Sequence, residues 1–496
     1  MLSINLPIDT SHNTIQEWKK YMTGKVASDD REPVRTEQES KVLWGKQTQL
    51  ALKHFDIGTQ LFPPVFITVL VSIKRACASS NHDDGLLSET QCNAIYFACD
   101  QLTSDKLNTS KPANNGVQTH FPLQIWQSGS GTQTNMNVNE VICAIANTYL
   151  DKQKLSLQDT AFAAMHPNDH VNLSQSSNDV FPSAMRITVA KQSADILLPA
   201  LQHFDDELAK KEEQFKTVTM VGRTHLMDAI PLKAGAILSG YRSQVAAAKL
   251  AIVEALCDVY KLPLGGTAVG TGANASAYFG PKTILRLASL YQLPFMQSPN
   301  LYASVSSEDG LMKYSGALKQ LATVLFKIAN DFRLLGSGPM AGINEWLMPN
   351  NEPGSSIMPG KVNPTQCEAL SMVCLQVFGN ELTVSLAASN GQLQLNTYRP
   401  VIIYNVLQSI ELLSSAMNSF ATYCIKDLKM NKPRIQQNVK NNLAVITLLA
   451  PTIGYDVAAK IASTAHKKNI SLCGAAEALG LYSKSEFDSM LQKHGL

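Results

Sequence analysis

A mainly α protein with a central bundle of long helices is the fold the sequence predicts. Three observations carry it. Leu318, Leu321, Leu325, Ile328, Phe332 and Leu335 recur at helical spacing, Ala322 and Ala329 widen the stripe, and Gly336 and Gly338 end it. Ile237, Tyr241, Val245, Ile252 and Leu256 mark a second long helix. Residues 401–424 are apolar nearly all round, as expected of a helix buried among others, and alternating β-branched runs are few.

Taken in order, residues 1–34 are polar and aperiodic and read as an N-terminal extension. Residues 43–107 read as helices with loops, Ser88 being a candidate N-cap, and 108–116 as a loop tip. The Gly/Ser/Thr loop 127–133 opens an apolar helix to about Leu150; its backbone N–H groups suit an anion, and an ordinary cap looks the same. From Val180 to about Leu428 the pattern is strongly helical, with a helix expected to start near Pro231. A smaller helical unit follows Pro433.

The chain has 496 residues, 45% hydrophobic and only 17% charged, against a usual charged share of ~25%. So little charge implies surface buried between subunits. The net charge of +2 favours neither nucleic acid nor an anionic membrane. Nine scattered cysteines without a Cys-x-x-Cys pair suggest reduced, mostly buried thiols. No uninterrupted apolar run reaches the ~18 residues of a membrane span. Residues 1–20 lack a signal-type apolar core and contain no arginine, so a cytoplasmic location is expected.

The most informative stretch is Gly354-Ser355-Ser356-Ile357-Met358-Pro359-Gly360-Lys361-Val362-Asn363-Pro364. Two glycines and two prolines make it a loop, either an active-site lid hinged at Gly354 and Gly360 or a surface connector. Three other polar clusters accompany it: Ser130-Gly131-Thr132, the run from His166 to Asn178, and Gly222-Arg223-Thr224-His225. Read alone, the second could be a linker and His225 a capping histidine. Nucleophile elbow, phosphate loop, zinc-helix and dinucleotide motifs are missing. A site rich in neutral donors suits a small dicarboxylate and a developing enolate-like charge, with no cofactor and no metal expected.

These blocks resemble the fumarase/aspartase superfamily. Residues 354–364 are similar to its signature loop. Residues 127–132, 166–172, 174–179, 222–225, 264–272 and 328–331 match its other motifs in the same order. Ser176-Ser177-Asn178-Asp179, Pro364-Thr365-Gln366-Cys367-Glu368-Ala369 and Asn396-Thr397-Tyr398-Arg399-Pro400 resemble the class II fumarase branch, whereas 391–396 resembles the aspartase version. The resemblance implies a three-domain fold with a central long-helix bundle shared in a homotetramer, and active sites built from three subunits. The expected division is 1–34, then an N-terminal domain 35–174, a central domain 175–432 and a small C-terminal helical domain 433–496.

The resemblance further implies reversible, stereospecific hydration of fumarate to (S)-malate in the tricarboxylic acid cycle, through a C3 carbanion or aci-carboxylate. Ser355 would remove the C3 proton, and His225, oriented by Glu368, would act on the water. Ser356, Lys361, Val362 and Asn363 would hold a carboxylate, and Ser130, Gly131, Thr132, Ser176, Ser177, Asn178 and Thr224 would line the rest. His166, Pro167, Asn168 and Asp169 resemble a second dicarboxylate site. Departures from the family pattern are Ala163, Leu173, Met227, Ile230, Met340 and a shortened block near 37–43. Alternatives are an aspartate ammonia-lyase and a non-catalytic paralogue serving as an assembly or binding subunit.

Overall fold

The computed structural model describes residues 42–104, 117–157, 164–352 and 357–494. The extension 1–34, the loop 108–116, Ala163, Gly354, Ser355 and Ser356 lie outside them.

The long-helix expectation holds. Helices α1 (Lys46–His54), α2 (Pro64–Asp83), α3 (Glu89–Thr103) and α4 (Thr132–Leu157) come first. Ser88 caps α3 through a reciprocal pair with Gln91, satisfying two orphan backbone donors. Then follow α5 (Ser177–Gln192), α6 (Leu198–Phe215), α7 (Ala234–Val259), α8 (Phe279–Tyr291), α9 (Leu301–Ser306), α10 (Asp309–Leu335), α11 (Thr365–Ala388) and α12 (Arg399–Phe420). Helices α6, α7, α10, α11 and α12 pack in that order, and α12 returns to α6, closing a five-helix ring. Inside it Phe332 meets Trp346 and Phe420 edge-on at 4.7 and 5.3 Å. The stripe read from Leu318 to Phe332 is fully buried there.

Helix α11 is long and apolar enough to cross a bilayer by length and composition, which the search for an uninterrupted run missed because Glu368 and Glu381 interrupt it. It packs between α10 and α12. Its other face stays open in the single chain, with Met372, Leu375, Leu382 and Leu386 more than half exposed.

One segment read as the approach to a helix is a β-hairpin. Strands β1 (Thr219–Thr224) and β2 (Met227–Lys233) pair antiparallel, and α7 begins at Ala234, after Pro231 rather than at it. A bulge at Gly222 breaks the register, so no clean alternation exists to read. Short pairs β3 (Lys261–Leu262) with β4 (Met296–Gln297), and β5 (Trp346–Leu347) with β6 (Lys429–Met430), tie loops together. Helix α13 (Lys432–Asn441) contributes Ile435 to the main core. Helices α14 (Ile446–Ile453), α15 (Tyr455–Lys468), α16 (Leu472–Ala478) and α17 (Lys484–Lys493) enclose a second, separate core. All nine cysteines are free thiols, seven of them buried.

Candidate active site

The donor segments are shaped by backbone demands. In the loop before α4, Gly131 has φ +75°, and a Cβ there would fall 2.2 Å from the Phe181 ring. That turn lets Ser130 reach Ser128 at 3.2 Å and Thr132 at 2.8 Å, hydroxyl to hydroxyl. Gln127 Oε1 closes the loop by accepting from both the N–H and the hydroxyl of Thr134.

The second segment is a helix start. Ser176 caps α5, and Asp179 Oδ1 accepts from the Ser176 N–H at 3.0 Å. Asp179 Oδ2 accepts from the N–H groups of Gly265 and Thr267, fixing the glycine-rich block 264–272 against the helix. Burial raises the Asp179 carboxyl above its ordinary range, although those three backbone donors oppose the shift. Asn178 donates its amide to Ala268 O at 2.8 Å. Sequence reading took this segment only as a polar run; the Ser-x-x-Asp spacing is the signal that marks the cap, whereas nothing local marks the second role of Asp179.

Beneath this segment Lys74 is fully buried and donates to Asn172 Oδ1 at 2.8 Å and Gln175 Oε1 at 3.0 Å. Asn135 and Asn139 of α4 donate to the same Asn172 oxygen. The asparagines after the Gly/Ser loop therefore brace the second segment. Sequence reading missed Lys74, which sits unmarked in an apolar helix.

His225 and Leu226 form the two-residue tip of the β1–β2 hairpin, with φ of 55° and 62°. Such turns favour Asn or Gly, and L-residues here store backbone strain of about 1–3 kcal/mol each, a pattern that gathers at functional sites. Thr224 and His225 are exposed, as are Met227 and Ile230. Just below the tip the hairpin is held by Arg223, whose two Nη groups lie 2.8 and 2.9 Å from the fully buried Glu345 carboxylate. Asn438 adds a third donor to that carboxylate at 2.8 Å.

The fourth cluster opens on a cleft of about 690 Å³. Lys361, Val362, Asn363 and Glu368 line it, together with Arg333 and Pro339. Gly360 has φ +81°, a backbone conformation that favours glycine. Met340 beyond Pro339 is 88% exposed.

The structure brings some expected residues together and leaves others apart. The segments at 128–132 and 176–178 share one scaffold, and Lys361, Asn363 and Glu368 share one cleft. Among the described residues, no hydrogen bond or ion pair joins His225 to Glu368, or either of them to the donor segments. His166 caps the turn Pro167–Val171, lies 3.1 Å from the Asp169 carboxylate, and both side chains are exposed.

The profile of the family described as "Lyase" matches residues 34–379, and that of "Fumarase C C-terminus" matches 445–496. A protein of Rickettsia conorii named fumarate hydratase class II is 47% identical over 453 residues, 91% of this chain and 95% of the relative. One of the same name from Thermosynechococcus vestitus is 48% identical over 445 residues, 90% and 92% of the two chains. The crystal structure of class II fumarase from Schistosoma mansoni superposes with a TM-score of 0.84 at 40% identity, covering 91% of this chain and 95% of that one. A fumarate lyase:delta crystallin from Brucella melitensis gives 0.83 at 34% identity, covering 92% and 98%. With relatives of that name 47 and 48% identical over about nine-tenths of the chain, and a class II fumarase structure superposing at a TM-score of 0.84, the chain belongs to the class II fumarate hydratase family.

Proposed function

We propose that this protein is a fumarate hydratase, interconverting fumarate and (S)-malate. The observation that carries the reading is its identity of 47% over 91% of the chain with a relative named for that reaction. The donor chemistry agrees. Hydroxyls of Ser130, Thr132, Ser176, Ser177 and Thr224 and the amides of Asn178 and Asn363 offer neutral hydrogen bonds to a dicarboxylate. Lys361 adds the cation that stabilises the aci-carboxylate formed when Ser355 takes the C3 proton. His225 exchanges the proton of the water, and Glu368 orients it. Ser356 and Val362 complete the loop around that carboxylate.

We further propose a homotetramer in which three subunits contribute to each site. Two observations support it. The open apolar faces of α11 and of α7, where Leu250 is 59% exposed, demand a cover. His225 and Glu368, unjoined within one chain, then meet across an interface. The division at 35–174, 175–432 and 433–496 is proposed with it, the second core at 445–487 supporting the C-terminal unit. His166, Pro167, Asn168 and Asp169 form the proposed second dicarboxylate site. Free thiols throughout fit a reducing compartment such as the cytoplasm.

Fumarate absorbance on purified protein tests the reading, with malate and with aspartate as substrates. Turnover of malate is expected; turnover of aspartate alone would establish the ammonia-lyase alternative instead. Turnover of neither would leave the assembly-subunit reading.

A further inference from the structure

Arg399 is fully buried at the start of α12. A guanidinium has five donors and is rarely buried without partners for them. Here Nε donates to Glu308 Oε1 at 2.7 Å, Nη1 to Asn178 O at 2.9 Å, and Nη2 to Val305 O. The backbone N–H of Arg399 donates to Gly129 O at 3.0 Å. Glu308, also fully buried, lies 3.2 Å from Arg186 of α5. At Gly129 the two loops touch so closely that a Cβ would sit 1.4 Å from Thr397 O.

Stability does not explain this arrangement. A buried ion pair gains nothing reliable over well-packed apolar residues of the same volume. Arg399 fixes Asn178 O through its fork, which also holds Val305 O and which an apolar side chain lacks, while its own backbone N–H holds Gly129 O. The two of these carbonyls that adjoin the site belong to Gly129 and Asn178. Each adjoins or carries a proposed substrate donor, Ser130 on one segment and the Asn178 amide on the other. Hydrogen-bonding both oxygens of one carboxylate requires donors placed to within about half an ångström.

We propose that Arg399 is a positioning residue that assembles Ser130–Thr132 and Ser176–Asn178 into a single carboxylate subsite, with Glu308 holding its fork. The inference rests on the hydratase reading and adds a residue to it. Arg399 touches no substrate; it acts through the two carbonyls.

The test compares Arg399→Lys and Glu308→Gln with the unaltered full-length oligomer. The measurements are kcat, KM for malate and calorimetric Kd for succinate, an unreactive dicarboxylate, with circular dichroism and oligomeric state as controls. Lysine keeps the charge and loses the fork; glutamine keeps the shape and loses the clamp. KM and succinate Kd are expected to rise together by about tenfold or more, with kcat falling less, the signature of lost ground-state binding. Unchanged KM and Kd in a folded variant overturn the proposal. So does a fall in kcat with KM and Kd unchanged, which marks a purely structural residue. Should Arg399→Lys fail to fold, the near-isosteric Glu308→Gln decides alone. Asn178→Ala separates the two levels: if it leaves succinate binding intact, the donor assignment fails and this inference with it, while malate turnover by the unaltered enzyme still upholds the hydratase reading.

Discussion

Replacing Lys74 by methionine should abolish a rise in stability on the alkaline side of neutrality. Lys74 is fully buried, and burial lowers its pKa from 10.5 to about 8, although Asp179 and the neighbouring Cys77 and Cys99 oppose the shift. In the unfolded chain the ammonium keeps its proton to 10.5. Between about pH 8 and 10.5 the unfolded state therefore binds more protons than the folded one, so stability increases with pH across that window. Below pH 8 both states are charged, and the full cost of burying the charge is present. A displacement from 10.5 to about 8, at 1.36 kcal/mol per pH unit, amounts to about 3 kcal/mol. Lys74→Met is close in length and removes the titration. It leaves Asn172 Oδ1 its two asparagine donors and takes one donor from Gln175. Urea unfolding of both proteins at several pH values from 7 to 10.5, at fixed ionic strength, gives the comparison, because titrating groups remote from Lys74 cancel in the difference. The wild type should gain about 3 kcal/mol on the variant across the window. A difference that stays flat, or shrinks as pH rises, refutes the assignment of a charged, desolvated lysine beneath the donor segment.

Three further outcomes follow from the same geometry. Arg223→Met strands the Glu345 carboxylate in the core with Asn438 as its remaining side-chain donor; it should cost about 3–5 kcal/mol in thermal or urea unfolding and depress turnover by freeing the hairpin that carries His225. Gly129→Ala places a methyl where Thr397 O already lies, so the loop must move, and succinate binding measured by calorimetry should weaken by about tenfold or more. Mixing an inactive His225→Asn protein with an inactive Lys361→Met protein should restore malate turnover in mixed oligomers, since some shared sites then receive intact copies of both; no recovery despite confirmed mixing counts against sites built from several subunits.

Much of the candidate site is legible because its segments are local. Loop 127–132, the polar run ending at Asp179 and the loop ending at Pro364 stand out through glycine, proline and short polar side chains. Their grouping was not legible in the same way. Arg399 lies 221 residues from the carbonyl it holds, and Lys74 lies 98 from Asn172. No spacing rule reaches across such intervals.

What the sequence determined by itself was the helical architecture, because a 3.6-residue apolar period in α7 and α10 can be satisfied only by burying one face of each. It also determined the order of the motif blocks and hence the resemblance. Tertiary structure alone decided that 219–233 is a hairpin with His225 at a strained tip, since a bulged two-stranded ribbon leaves no period to read. It decided equally that buried charges at Lys74, Asp179 and Arg399 brace the donor segments. A charge in an apolar run looks like a surface residue until the fold shows which oxygens and amides surround it, and a lone ion stays buried only where such partners are fixed in place.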